Sequence, residues 1–152
     1  MAIFNEEYIQ EFLFNKKNKN VNTKQYHHLN KNEIYRIVAI AKKEIGKFTK
    51  LKKATQWLNL NKSRYDEDDE PSLLSEYYKN SGGSDLIIAD GDAWDGYSAL
   101  RSNPDEFWND QSNFCDSVNN ILKEESILAK FYPTGNSDWD GIEFAIKSLK
   151  EK

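Results

Sequence analysis

The spacing of apolar residues constrains this chain more than any other feature, and through most of its length that spacing is helical. Behind Asn30 or Asn32, either of which can cap a helix, Ile34, Ile37, Val38, Ala41, Ile45 and Phe48 recur every three or four residues. Such a stripe lies on one face of a helix with 3.6 residues per turn. Leu51, Ala54, Trp57 and Leu58 continue the pattern up to a turn at residues 59–61. Ser72 can cap a helix carrying Leu73, Leu74, Tyr77 and Tyr78, stopped by Ser81-Gly82-Gly83. Pro104 suits a first helical turn with Phe107 and Trp108. Phe114, Val118, Ile121 and Leu122 make another helix, and Ile127, Leu128 and Phe131 extend it to the break at Pro133-Thr134-Gly135. A last helix is read from about Asp138, with Trp139, Ile142, Ala145, Ile146 and Leu149 on one face.

Near the N-terminus, Phe4, Tyr8, Ile9, Phe12 and Leu13 also step helically, behind Asn5. Residues 15–25 are mostly Asn and Lys; with so little apolar area to bury, ordering them would go uncompensated, and a mobile polar loop is expected. Only Asp85-Leu86-Ile87-Ile88-Ala89 offers a short aliphatic run bounded by breakers, which fits a buried strand or a turn of helix equally. The expected fold is therefore one compact, mainly α domain over residues 1–152, with α+β as the variant and at most a short strand pair near residues 85–89.

At 152 residues the chain is long enough to bury a core without metal or disulfide support. That core would be rich in aromatics, which number eight Phe, eight Tyr and four Trp. The one cysteine, Cys115, cannot bridge within the chain and fits a reducing compartment. No basic n-region precedes an apolar h-region at the start, and no stretch approaches the roughly 18 apolar residues of a membrane span. A cytoplasmic, membrane-free protein is expected.

Charge is divided along the chain. Residues 1–64 hold 14 Lys+Arg against 5 Asp+Glu, a net of +9, and residues 65–152 hold 7 against 20, a net of −13. Asp66-Glu67-Asp68-Asp69-Glu70, ending at Pro71, marks the change of sign; five adjacent carboxylates repel each other and belong in solvent or against a partner, so residues 66–71 read as an acidic linker or loop.

Enzymatic motifs are missing. The chain has no HExxH pair, no phosphate-binding Gly-Lys-Ser/Thr loop, no dinucleotide fingerprint and no nucleophile elbow. His27 and His28 are adjacent, so their side chains diverge in regular structure, and a structural or solvated role is expected. Cys115, within Phe114-Cys115-Asp116, reads as a small buried hydrophobe. Asn136, Asp138, Asp140 and Gly141 occupy positions 1, 3, 5 and 6 of a calcium loop, but Lys147 stands where a bidentate Glu belongs. The loop Asp90-Gly91-Asp92-Ala93-Trp94-Asp95-Gly96 is likewise out of phase, with Arg101 at the last ligand position. Turn and capping chemistry account for both, and no metal or other cofactor is expected. Trp-Asp-Gly at residues 94–96 and again at 139–141 reads as a helix entry used twice.

The remaining signal is acid interleaved with aromatic rings: Asp90, Asp92, Asp95, Asp105, Glu106, Asp110, Asp138 and Asp140 among Trp94, Tyr97, Trp108 and Trp139. Charges steer an encounter and buried aromatics supply affinity, so this mixture suits a basic protein partner. The plain alternative is a solvated acidic face over an aromatic core. The expected function is a non-catalytic inhibitor that neutralises a basic toxin, such as a nuclease domain, through Asp66 to Glu70 and the Asp90 to Asp95 loop. In general character the chain is similar to the small cytosolic immunity proteins that bacteria pair with toxins. Its rival is a DNA-binding regulator using a helix-turn-helix-like segment at residues 50–65, with Asn59 at the tight turn. Against nucleic acid, a recognition helix starting at Lys62 would run into the five carboxylates that follow.

Overall fold

Asn30 decides where the first helix begins. Its Oδ1 accepts from the Glu33 N–H at 2.8 Å while Glu33 Oε1 accepts from the Asn30 N–H at 3.0 Å, a reciprocal capping box. Helix α1 then runs Lys31–Glu44 and buries Ile34, Ile37 and Ala41 of the predicted stripe together with Ile40 and Glu44, which the stripe did not include, while Val38 is half-buried. A single 3₁₀ turn, Ile45–Lys47, leads into α2, Thr49–Ala54. The computed structural model describes residues 28–64, 70–80, 85–92, 104–134 and 141–150. The expected N-terminal helix and the Asn/Lys loop at 15–25 lie outside them.

The mainly α expectation is overturned by a four-stranded antiparallel sheet. Its strands are β1 Thr55–Trp57, β2 Leu86–Asp92, β3 Ala129–Pro133 and β4 Gly141–Ser148, in the order β1-β2-β4-β3. The fold is α+β, and the short strand pair near residues 85–89 is instead part of this sheet.

Each misread segment has an identifiable reason. Ile142, Ala145, Ile146 and Leu149 fit a helical stripe only if Phe144 is ignored. Ile142, Phe144 and Ile146 alternate, and both faces of β4 are covered: Ile142 to Ile146 are all buried. Because Ala145 lies beside Ile146, the segment also steps by three and four residues, and so it satisfies a helical stripe as well as a strand's alternation. At residues 127–133 the helix stops because Ser126 turns into the left-handed region at φ 57°. Ala129 and Phe131 then point inward while Lys130 points out, the period of a strand. At residues 55–57, Thr55 leaves α2 in extended conformation, φ −103° and ψ 134°, and pairs with β2. The two helices expected around Phe107 and Phe114 are one, α4, Pro104–Glu124. Ser72 caps α3, Leu73–Lys79, as its sequence predicts, accepting from the Ser75 N–H at 3.0 Å.

Register assigns side chains to the two faces of the sheet. Phe131 stands opposite Ile146 and Pro133 opposite Phe144, while Ala89 and Gly91 stand opposite Phe144 and Ile142. α4 lies against β3 and α1 packs on α4. Phe114 of α4 meets Phe131 at 5.2 Å and Phe144 at 5.3 Å edge-on, and Phe131 and Phe144 stack at 5.3 Å with planes 16° apart. Burying each such ring removes about 1.5–3 kcal/mol of apolar exposure. The opposite face of the sheet carries Gln56, Ile87, Asp90, Glu143, Ala145, Lys130, Tyr132 and Lys147, by the same register. It is the polar face.

Candidate functional site

Trp108 is the exposed aromatic of α4. It sits in the helix's second turn, 51% exposed, with its ring edge-on to the buried Phe107 at 4.8 Å. Asp105 lies three residues earlier, hence on the same helix face, and is exposed. Glu106 is half-buried and accepts from Lys50 Nζ at 3.2 Å. The carboxylates of the first turn also suit the positive end of the α4 dipole. This turn thus offers an indole, a solvated carboxylate and an adjoining ion pair on a rigid helix.

The charge division of the chain is used partly inside the fold. Cations of the first 64 residues reach acids of the remainder: Arg36 with Glu125, Lys50 with Glu106, and Arg64 with Asp90 at 3.5 Å and with Glu143. Lys150 pairs with Glu33 in the opposite sense. Segregation along the sequence has become complementarity in space.

The Arg64 pair is the polar centre of the second sheet face. Glu143 projects from β4 opposite Asp90 of β2, and both carboxylates meet the one guanidinium. Thr134 Oγ1 donates to Glu143 Oε1 at 2.8 Å. Glu143 is only 7% exposed, and these donors satisfy carboxylate oxygens that water scarcely reaches. Tyr132 donates to Asp85, whose carboxyl is pushed above its usual range by burial, and Lys147 Nζ lies 5.9 Å from the Tyr132 ring. Sequence reasoning missed Arg64, Thr134 and Glu143. With residues 138–149 read as a helix, no register existed to bring Glu143 to Asp90.

The other expected binding residues divide in two. Glu70 is exposed, and Asp92 ends β2. Asp66, Glu67, Asp68, Asp69, Trp94, Asp95, Asp138 and Asp140 lie outside the described residues.

Catalytic candidates do not gain by the geometry. Cys115 is buried at 6% exposure, and burial pushes its thiol up to about 12, so it is protonated at neutral pH and a poor nucleophile. The His28 ring packs edge-on to Tyr77 at 4.5 Å and Tyr78 at 5.7 Å, with both ring nitrogens buried and without a hydrogen-bond partner among the described residues. No group of three or more His, Cys, Asp or Glu side chains among the described residues is placed to hold a metal ion. The helix-turn-helix geometry is also not found: Thr55–Trp57 is a strand and residues 58–64 contain no helix. No described helix is long and apolar enough to cross a membrane.

No protein-family model, curated protein or solved structure matches this chain.

Proposed function

We propose that this protein is a non-catalytic inhibitor of a basic protein, in the manner of a cytoplasmic immunity protein that neutralises a toxin such as a nuclease. The observation that supports it most is Trp108, half exposed on a rigid helix with Asp105 one turn away. Tryptophan is enriched among the few residues that carry most of the binding energy at protein interfaces. Acids around an anchor steer a basic partner to it. The chain's formal net charge is −4, with the acids concentrated in residues 65–152, and that asymmetry supports steering toward a basic partner.

Pull-down from the source lysate at low and high salt tests the reading, followed by assay of the captured protein with and without stoichiometric inhibitor. The expected result is one basic protein, lost at high salt, whose activity is blocked at a ratio near unity. Trp108→Ala should weaken the complex by about thirtyfold, and Asp105→Lys should slow association with little change in dissociation. Binding that ignores salt and survives Trp108→Ala would sink the proposal.

A further inference from the structure

Among the described residues, the two exposed large aliphatic side chains, Leu128 at 53% and Leu149 at 48%, are neighbours rather than scattered. The Leu149 N–H donates to the Leu128 carbonyl at 2.8 Å, extending the β3–β4 ladder by one pair and setting both side chains at one end of the sheet. Together with Ile127 and Ala129 they form the apolar lining of a groove of about 540 Å³ between the end of α4 and β3. That volume is in the range of small-molecule sites, roughly 300–1,000 Å³. No aromatic ring among the described residues lines it, and its aliphatic walls suit a flexible alkyl chain.

Its polar side chains are cationic where they are charged at all. Lys123 on the last turn of α4 and Lys130 on β3 stand on the groove, both exposed, and neither makes an ion pair with a described residue. Lys130 is directly opposite Lys147 in the register, and like charges in that position oppose each other. Lys147 is partly accommodated by the Tyr132 ring, 5.9 Å away, which leaves Lys130 as the cation that an incoming anion would relieve. We infer that this groove binds a free medium-chain fatty acid, its alkyl chain on Leu128, Leu149 and Ile127 and its carboxylate at Lys123 and Lys130. The site is separate from the Trp108 surface and does not depend on the inhibitor reading.

Calorimetric titration of the full chain with sodium decanoate, kept below its self-association concentration, tests this. The expected result is saturable binding of one molecule per chain. Lys123→Glu with Lys130→Glu should weaken it about fivefold, since exposed ion pairs are individually modest. Leu149→Asp, a change at an exposed position that leaves the melting temperature within a few degrees, should weaken it tenfold or more. Decanol should bind more weakly than decanoate. Absence of saturable binding, equal binding by Leu149→Asp, or association only with fatty-acid-free anionic vesicles or acidic peptides would each overturn the inference.

Discussion

The side-chain amide of Asn119 on α4 grips the backbone of Phe131 on β3 from both sides: Nδ2 donates to the Phe131 carbonyl and Oδ1 accepts from its N–H, each at 2.8 Å. β3 is an edge strand, and the groups of Phe131 that point away from β4 are the ones a foreign strand would seize. Asn119 occupies them as a neighbouring strand would. On either side the edge is also closed, because the Ala129 N–H donates locally to the Ile127 carbonyl and Pro133 has no N–H. Asn119→Leu should therefore cost about 1–3 kcal/mol by leaving two backbone groups unpaired. It should also increase association on storage. Denaturant titration and light scattering check the two effects, and an unchanged scattering signal would show that the edge is guarded by something else.

Gly91 is fixed by a close approach. A Cβ there would lie 1.9 Å from the Ala54 carbonyl oxygen and 2.9 Å from the Ala54 carbonyl carbon, both backbone atoms that cannot swing aside. Gly91→Ala must push β1 off β2 at the Thr55–Gly91 pair. We expect a loss of about 3 kcal/mol, at the upper end for overpacking, with hydrogen exchange accelerated at residues 55–58 before the rest of the sheet.

Helices with a cap and a clean stripe were legible from sequence; strands that mimic them were not. Asn30 and Ser72 announce α1 and α3 through side-chain chemistry confined to three residues, which no distant contact can override. β4 is decided by Phe131, Ala89 and their neighbours, more than ten residues away along the chain, while Ala145 beside Ile146 supplies the three- and four-residue steps of a helix. The same distance hides Arg64, Asp90 and Glu143, which meet only once β2 and β4 are in register. Asp105, Glu106 and Trp108 were visible as a group because a helix keeps sequence neighbours together.

Glu143 makes the Arg64 contact a stability determinant rather than a surface ion pair. Removing Arg64 would strand a carboxylate that is 7% exposed, taking away its ion pair while the Thr134 hydroxyl still donates to it. Arg64→Met should destabilise by about 3 kcal/mol, as for a broken buried pair. Glu143→Gln combined with Arg64→Met should recover part of that, since the buried carboxylate is then neutral and only the partly exposed Asp90 loses its pairing with Arg64. A double-mutant cycle by thermal unfolding measures the difference, and strict additivity would rule the coupling out.

His28 is stabilising in shape and costly in chemistry. Its ring fills the space beside Tyr77 and Tyr78, whose hydroxyls clamp Leu29: the Leu29 N–H donates to Tyr77 Oη at 2.9 Å and the Tyr78 hydroxyl donates to the Leu29 carbonyl at 2.7 Å. Yet neither ring nitrogen has a hydrogen-bond partner among the described residues. His28→Phe keeps a ring and removes the unpaired polar atoms, and it should raise stability by about 1 kcal/mol. His28→Ala should lower it by loosening the clamp. A lower melting temperature for the phenylalanine variant would contradict this account.

Glu44 supplies a pH dependence with a definite sign. It is 5% exposed at the end of α1, where the Ser117 hydroxyl and the Lys47 ammonium, the latter at 2.9 Å, both donate to its Oε1. Those donors hold its carboxyl below the ordinary value of 4.5, Ser117 contributing most. A carboxyl whose folded value is depressed stabilises the fold above its unfolded value, and that contribution is lost as pH falls from there through the folded value. Ser117→Ala should thus cost about 1.5 kcal/mol at pH 7. The gap from the parent protein should narrow below pH 4.5 and close once Glu44 is protonated in both. Stability curves taken from pH 7 to pH 3 would show this convergence; a gap that stays constant with pH would mean that Ser117 acts through packing on α1 rather than through the charge of Glu44.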